Sequence, residues 1–318
     1  MKDLEKHWEK CCLESPQSLA FPEGQDVRIQ EASYRMIDSG EVREVFYWGK
    51  PNRKDSRVIH IDSNDSEIVN MTEDFLLRCW GGKKGEVWCK EFARDPLYQA
   101  GCFLSEQKVQ AVVAGIQSTT SSVIRAALKA PGLKNGIQTL SSAFLMQSPM
   151  KKNMLFADCG VVVEPKESEL VDIAVNAVEL HYELSLGVPK VAFLSFSTHA
   201  SSEHKSLQRI RSAVEMFKKR HPEIAVDGEI QVDAALVPSV ASHKSPESPI
   251  GGDANILIFP DLNSGNIAYK LMERLAGYKA WGPILLGLKK PYTDLSRGAS
   301  VEDVVASSRL ALTRSLSL

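Results

Sequence analysis

The signatures that most often give an enzyme away are missing from this chain of 318 residues. It has no G-x-G-x-x-G after a candidate strand, no G-x-x-x-x-G-K-[ST], no G-x-S-x-G and no H-E-x-x-H, so dinucleotide, nucleoside triphosphate, esterase and zinc-protease readings lose support. The six cysteines (Cys11, Cys12, Cys79, Cys89, Cys102 and Cys159) form no C-x-x-C and no Cys/His zinc pattern. That spacing predicts reduced packing thiols and no metal site. The seven histidines are scattered, and His199 and His204 stand five apart, off the spacing that puts two ligands on one helix face. Neither charge dominates: 38 Lys plus Arg against 40 Asp plus Glu leave a net charge of -2, so no broad field draws the protein to nucleic acid or an anionic membrane. No apolar run approaches the ~20 residues needed to span a bilayer. The charged start, Met1 to Lys10, lacks the apolar core of a secretory signal, and a soluble, cytoplasmic protein is expected. Internal repeats and low-complexity tracts are also missing.

What remains is the balance of a globular protein, 43% hydrophobic and 25% charged. A single core tends to stop growing near ~250–300 residues, so two domains are expected. Short apolar runs alternate with longer amphipathic stretches, the order of parallel strands joined by crossover helices, and the class is α/β. Candidate strands are 44–48, 57–61, 110–116, 154–163, 190–196, 254–260 and 284–288; several lack alternation, as strands covered on both faces do. Candidate helices are 29–38, 122–129, 168–186, 203–220, 264–276 and 301–314. In the fourth of these, Leu207, Ile210, Val214 and Phe217 form an apolar stripe, and its basic residues read as a solvated face. Turn-rich stretches at 129–136 and 287–293 bracket a central block of roughly 150 residues, one domain's worth.

Three constellations could carry chemistry. Asp294-Leu-Ser-Arg-Gly-Ala-Ser-Val-Glu-Asp303 is expected to follow a strand ending near Leu288 and to open the last helix. Ser300 with Asp303 three residues on reads first as a capping box, the commoner meaning of such a pair. Ser296 and Arg297 gain nothing from capping, and a hydroxyl and a guanidinium beside a carboxylate suit an anionic or carbonyl substrate. The second, Gly115-Ile-Gln-Ser-Thr-Thr-Ser-Ser-Val-Ile-Arg125, runs from a buried-looking strand through hydroxyls into a helix. Free N–H groups at a helix start with Ser118, Thr119 and Thr120 make an anion cradle, and Arg125 adds a fork; an ordinary N-cap cluster with a surface arginine fits equally well. The third, Phe259-Pro-Asp-Leu-Asn-Ser-Gly-Asn266, brings Asn263 and Asn266 to a strand end, as a cleft lining or as a plain capped turn.

Together with Phe21-Pro-Glu-Gly24, Leu155 to Asp158, Leu194 to Thr198 and Asp227 to Ala235, these stretches resemble the phosphate acetyltransferase family over most of the chain. The resemblance is tightest from Ile258 to Lys270 and from Asp294 to Asp303, where D-L-S-R-G separates this family from the phosphate butyryltransferases. It implies two α/β/α domains like isocitrate and isopropylmalate dehydrogenases, the second inserted into the first, with an interdomain cleft. Residues 1–134 plus 290–318 would form the discontinuous domain with the phosphate loop and catalytic segment, and 135–289 the inserted one, through which a homodimer would pair. The implied reaction moves an acetyl group between acetyl phosphate and coenzyme A, a substrate, with no cofactor or metal. Asp303 would be the base for the thiol, Ser296 the donor to the oxyanion, and Arg297 the cation that orients Asp303; Arg125 and Arg78 would hold the phosphate group. The chain departs from the family at Ser118, where a histidine is common, at Ala126, where a proline is, and by one residue after Arg78. Those departures leave two other expectations, a propionyl or butyryl transferase and a non-catalytic coenzyme A binding homologue.

Overall fold

A computed structural model describes residues 4–148 and 152–317. From the start, the chain forms α1 (Leu4–Glu14), β1 (Gln17–Phe21), α2 (Val27–Ser39), β2 (Val42–Trp48), β3 (Val58–Ile61), α3 (Ser66–Lys84), α4 (Glu86–Phe92), α5 (Pro96–Ser105), β4 (Ala111–Ala114) and α6 (Thr120–Lys129). A second stretch gives β5 (Ser141–Gln147), β6 (Met154–Ala157), α7 (Glu167–Glu183), β7 (Lys190–Leu194), α8 (Lys205–Arg220), β8 (Ala225–Ile230), α9 (Val232–Leu236), α10 (Pro238–Lys244), β9 (Ile256–Ile258), α11 (Leu262–Ala276) and β10 (Lys279–Leu286). The chain then closes with β11 (Tyr292–Asp294) and α12 (Val301–Ser315).

Two compact units result, one made of the residues up to Lys134 with those from Leu288 onward, the other of Asn135–Gly287. The first holds a five-stranded sheet in the order β11-β4-β1-β2-β3, with every pair parallel. Its inner strands β1 and β4 are buried along their whole length, as a parallel sheet covered on both faces requires. Along β2, Val45 and Tyr47 join the cluster formed with Ile29, Met36 and Val304 of α2 and α12. Phe46 and Trp48 point the other way and meet the ring of Phe103 on α5 at 5.7 and 5.3 Å. Phe46 is partly buried, whereas Val45, Tyr47 and Trp48 are buried, and each such side chain contributes about 1.5–3 kcal/mol.

The inserted unit carries a six-stranded mixed sheet, β10-β5-β6-β9-β7-β8, in which β5 pairs antiparallel with both β10 and β6. Its faces divide the same way: Phe193 packs on Phe217 of α8 at 5.9 Å, while Ala192 and Leu194 join the cluster with Ala234 of α9 and Tyr269 of α11. Both units are therefore α/β/α. Among the described residues, no helix is long and apolar enough to cross a membrane.

Each expected strand and helix overlaps an observed one, but 154–163 stops at Ala157 and 284–288 belongs to a longer strand that ends at Leu286. The segment from Asp294 therefore does not follow that strand. It leaves β11, three residues that return to the first sheet and that pattern reading passes over.

Candidate functional site

The pairing of β11 with β4 is what brings two of the three constellations together. The strands run parallel with Thr293 opposite Val113 and Asp294 opposite Ala114, so the loops that follow leave the same sheet edge side by side. Leu295 N donates to Ala114 O at 2.6 Å and fastens them. Gly115 has φ +104°, and a Cβ there would collide with Asp294 Oδ1 and would lie 2.7 Å from Leu295 N, so both the backbone conformation and the close approach demand glycine.

At the start of α12 the capping box is realised. Asp303 N donates to Ser300 Oγ at 3.1 Å, and Asp303 Oδ2 accepts from Ser300 N at 2.9 Å and from Ser300 Oγ at 3.0 Å. The cap uses one carboxylate oxygen; on Oδ1 no donor is recorded among the described residues, and the side chain is exposed. Cap and base are thus compatible in one residue. The helix is anchored further along, where Arg309 makes a fork to the buried carboxylate of Glu41 at 2.5 and 2.7 Å. Ser296 and Arg297 are exposed on the turn before α12, in which Ala299 N donates to Ser296 O at 2.9 Å and Gly298 N to Ser296 Oγ at 3.2 Å. No ion pair joins Arg297 to Asp303 among the described residues, so the orienting contact implied by the resemblance is not made here; Ser300 supplies it instead.

The loop expected to hold phosphate departs from expectation in an informative way. The N–H groups from Gly115 to Ser118 are not free: Glu23, only 8% exposed, accepts all four, from Gly115 (2.7 Å) and Ile116 (2.8 Å) on Oε2 and from Gln117 (3.0 Å) and Ser118 (2.5 Å) on Oε1. Open donors lie just beyond, at the start of α6. Thr119 is the N-cap and its hydroxyl accepts from Ser122 N at 3.2 Å, which leaves the N–H groups of Thr119, Thr120 and Ser121 without a recorded partner among the described residues. Ser118 lies partly exposed before them, and Arg125 is exposed on the second turn of the helix, where its charge acts on Asp95.

Asp294, within the D-L-S-R-G stretch, received no role from the sequence and is 5% exposed. Burial pushes its carboxyl up to about 6, against the lowering influence of the nearby Thr120 hydroxyl and helped by the negative charge of Glu23; its Oδ1 has no partner among the described residues. Glu23 was likewise visible only as part of Phe21-Pro-Glu-Gly24, where a proline and a glycine around an acid mark a turn and nothing more.

Arg78 is not brought to this edge. It pairs with Glu106 at 2.8 Å, and Glu106 stands just ahead of β4, whereas Gly115 lies just past the other end of that strand. Neighbouring Trp80 donates to Lys129 O at the far end of α6, which confirms the direction. In the inserted unit, Asn263 is exposed on the first turn of α11, capped by Asp261, whose Oδ1 accepts from Ser264 N at 2.9 Å. Asn266 donates to Cys159 O at 3.2 Å. Among the described residues, no group of three His, Cys, Asp or Glu side chains could hold a metal ion.

Comparison with known proteins gives a consistent result. The family described as phosphate acetyl/butaryl transferase matches residues 4–312. A phosphate acetyltransferase from Paracoccus denitrificans is 39% identical over 92% of this chain and 93% of its own length. The crystal structure of a phosphotransacetylase from Streptococcus pyogenes covers 100% of both chains at 32% identity with a TM-score of 0.93. A 4-hydroxythreonine-4-phosphate dehydrogenase from Klebsiella pneumoniae, 12% identical, covers 95% of this chain and 100% of its own with a TM-score of 0.51, a likeness of fold alone that matches the dehydrogenase-like architecture.

Proposed function

Since the chain belongs to the phosphate acetyl/butaryl transferase family, we propose that the loops leaving β4 and β11 move an acetyl group between acetyl phosphate and coenzyme A. The chain is an acyltransferase, and relatives named phosphate acetyltransferase support acetyl over propionyl or butyryl and an active enzyme over a non-catalytic homologue. The observation that carries the site is the register of Asp294 on Ala114, which sets the two loops side by side.

Ser300 fixes one oxygen of Asp303, and the other takes the proton from the thiol. A thiol of pKa near ~8.5 is mostly protonated at neutral pH, so the base has a clear task. The thiolate sulfur bonds to the acetyl carbon, the bond from that carbon to the phosphate oxygen breaks, and phosphate leaves with the electron pair. Ser296 donates to the oxyanion that forms on the way, and Arg297 adds a cation beside it. The start of α6, with Ser118, Thr119 and Thr120, and the guanidinium of Arg125 hold the phosphate. Arg78 is left out because it is engaged with Glu106 at the opposite end of β4. Within the inserted unit, Asn263 and Asn266 stand beyond the carboxyl end of β9, where α/β sheets take ligands, and a substrate-binding role is proposed for them on that placement.

Acetyl phosphate and coenzyme A mixed with the purified protein must give thioester absorbance; none over a range of salt and pH removes the reading. Asp303→Asn lowers kcat about 10²- to 10⁴-fold with a smaller change in KM. Lower stability with unchanged turnover per folded molecule would leave Asp303 a cap and no more.

The reading extends to a cytoplasmic homodimer. The six cysteines are all free, four of them buried, which suits a reducing compartment. Along α11, Ile267, Leu271 and Leu275 are 58%, 51% and 81% exposed at four-residue spacing, an apolar stripe that a second copy would cover. Sedimentation of the purified protein at the mass of one chain would remove the dimer.

A further inference from the structure

The turn that follows the central strand β1 touches both loops of the proposed site. Glu23 fills the row of N–H groups from Gly115 to Ser118. Three residues on, Asp26 caps α2 and grips Arg28 with both oxygens, Arg28 Nε donating to Oδ1 at 3.0 Å and Nη2 to Oδ2 at 2.9 Å. Asp26 Oδ2 also accepts from Gln117 Nε2 at 3.3 Å, on the phosphate loop. The remaining nitrogen of that guanidinium, Nη1, reaches the other loop, donating to Arg297 O at 3.0 Å and to Ala299 O at 2.8 Å. The guanidinium beside Asp26 holds its carboxyl below the usual range, so the grip is between charged groups at neutral pH.

These bonds span chain separations of 91 to 95 residues on one side and 269 to 271 on the other. A turn needs none of them to close, since Asp26 N already donates to Glu23 O at 3.1 Å. A neutral side chain could not serve four N–H groups at once; a carboxylate has the acceptor sites to do so. A lysine could not serve Asp26 twice and two carbonyls besides, because its ammonium lacks the planar fork.

We propose that Glu23 and Arg28 are positioning residues for acyl transfer, a clamp that sets the separation between the loop binding the phosphate and the loop bearing Ser296 and Arg297. Neither touches substrate. Glu23 shapes the path into α6 and so governs how the phosphate is held; Arg28 fixes the carbonyls of the turn from which Ser296 and Arg297 project and so governs the reacting geometry. The proposal rests on the acyl-transfer reading of the same loops.

The two halves of the clamp predict different kinetic signatures. Arg28→Lys lowers kcat by about ten- to a hundredfold while KM for acetyl phosphate stays within about twofold, since small misplacement of reacting groups costs rate more than binding. Glu23→Gln turns an amide donor toward N–H groups that need an acceptor and raises KM for acetyl phosphate by about tenfold, with the smaller effect on kcat. Both are measured with acetyl phosphate and coenzyme A on full-length protein, with thermal melts to normalise for folded fraction. Wild-type constants per folded molecule in Arg28→Lys overturn the clamp, as does an equal change in kcat and KM in both variants. If Glu23→Gln does not fold, Arg28→Lys decides alone. A wild-type protein that makes no acetyl-CoA instead overturns the reading of the site on which the clamp depends.

Discussion

Glu23 in the first unit and Glu229 in the inserted one both stand near the carboxyl end of a strand and hold the loop that follows its neighbour. Glu229, 2% exposed at the end of β8, accepts from Ser197 Oγ and Ala200 N, each at 2.9 Å, in the loop after β7. Its charge is answered by Arg211 of α8, whose Nε and Nη2 donate at 2.5 and 2.7 Å. Burial opposes that charge, but Arg211 and the two loop donors overcome it and take the carboxyl down to about 2. Among the described residues no side-chain fork is recorded on Glu23, and its hydrogen bonds come from backbone N–H groups. In one unit the loop hangs on a closed ion pair; in the other the loop's own backbone is the counterpart of the charge. The first arrangement makes a fixture, and the second ties the path of the loop proposed to hold phosphate to one side chain.

The largest expected effect sharpens this contrast. Arg211→Met leaves Glu229 buried and uncompensated and lowers the melting temperature by roughly 10 °C, with turnover per folded molecule changed less than in Glu23→Gln. An unchanged melt would break the comparison. A smaller pair of effects concerns pH, because each unit also buries a titratable group short of partners, with opposite sign. Asp294, raised to about 6, adds stability that is full below its unfolded value near 4 and is lost as pH rises through 6. His181 is 1% exposed with neither ring nitrogen partnered among the described residues, and burial lowers it to about 4. Its contribution is full above 6.5 and is lost as pH falls toward 4. Each amounts to about 3 kcal/mol at most. Denaturant melts between pH 4 and 7 should show Asp294→Asn gaining on the wild type toward pH 7 and His181→Leu gaining toward pH 4; parallel curves for either variant would remove that group's part.

The sequence carried the alternation of strands and helices, and the tight D-L-S-R-G stretch carried the family and the candidate base. It was silent where structure is short or distant. Gln17–Phe21 became the central strand of its sheet although it opens with two polar residues; their burial depends on partners far along the chain, with Gln17 Nε2 donating to Leu312 O at 3.1 Å and Ser18 N to Gln110 Oε1 at 2.9 Å. Tyr292–Asp294 is too short for any periodicity. Ser300 and Asp303 were legible as a box because a cap is local, whereas the hold of Glu23 on Gly115 to Ser118 leaves no trace in spacing. Arg78 shows the converse hazard, a residue of the right type whose helix carries it to the end of β4 opposite Gly115, beside Glu106.

The late return of β11 also bears on how the protein is made. A ribosome delivers the whole of Asn135–Gly287 before the residues that finish the first sheet emerge. Until then β4 is an open edge, and the apolar face of α2 lacks Val304 and Leu312 of the last helix. The inserted unit can fold while its host waits, and the half-built host is the stretch of nascent chain most exposed to misassociation and most in need of a chaperone.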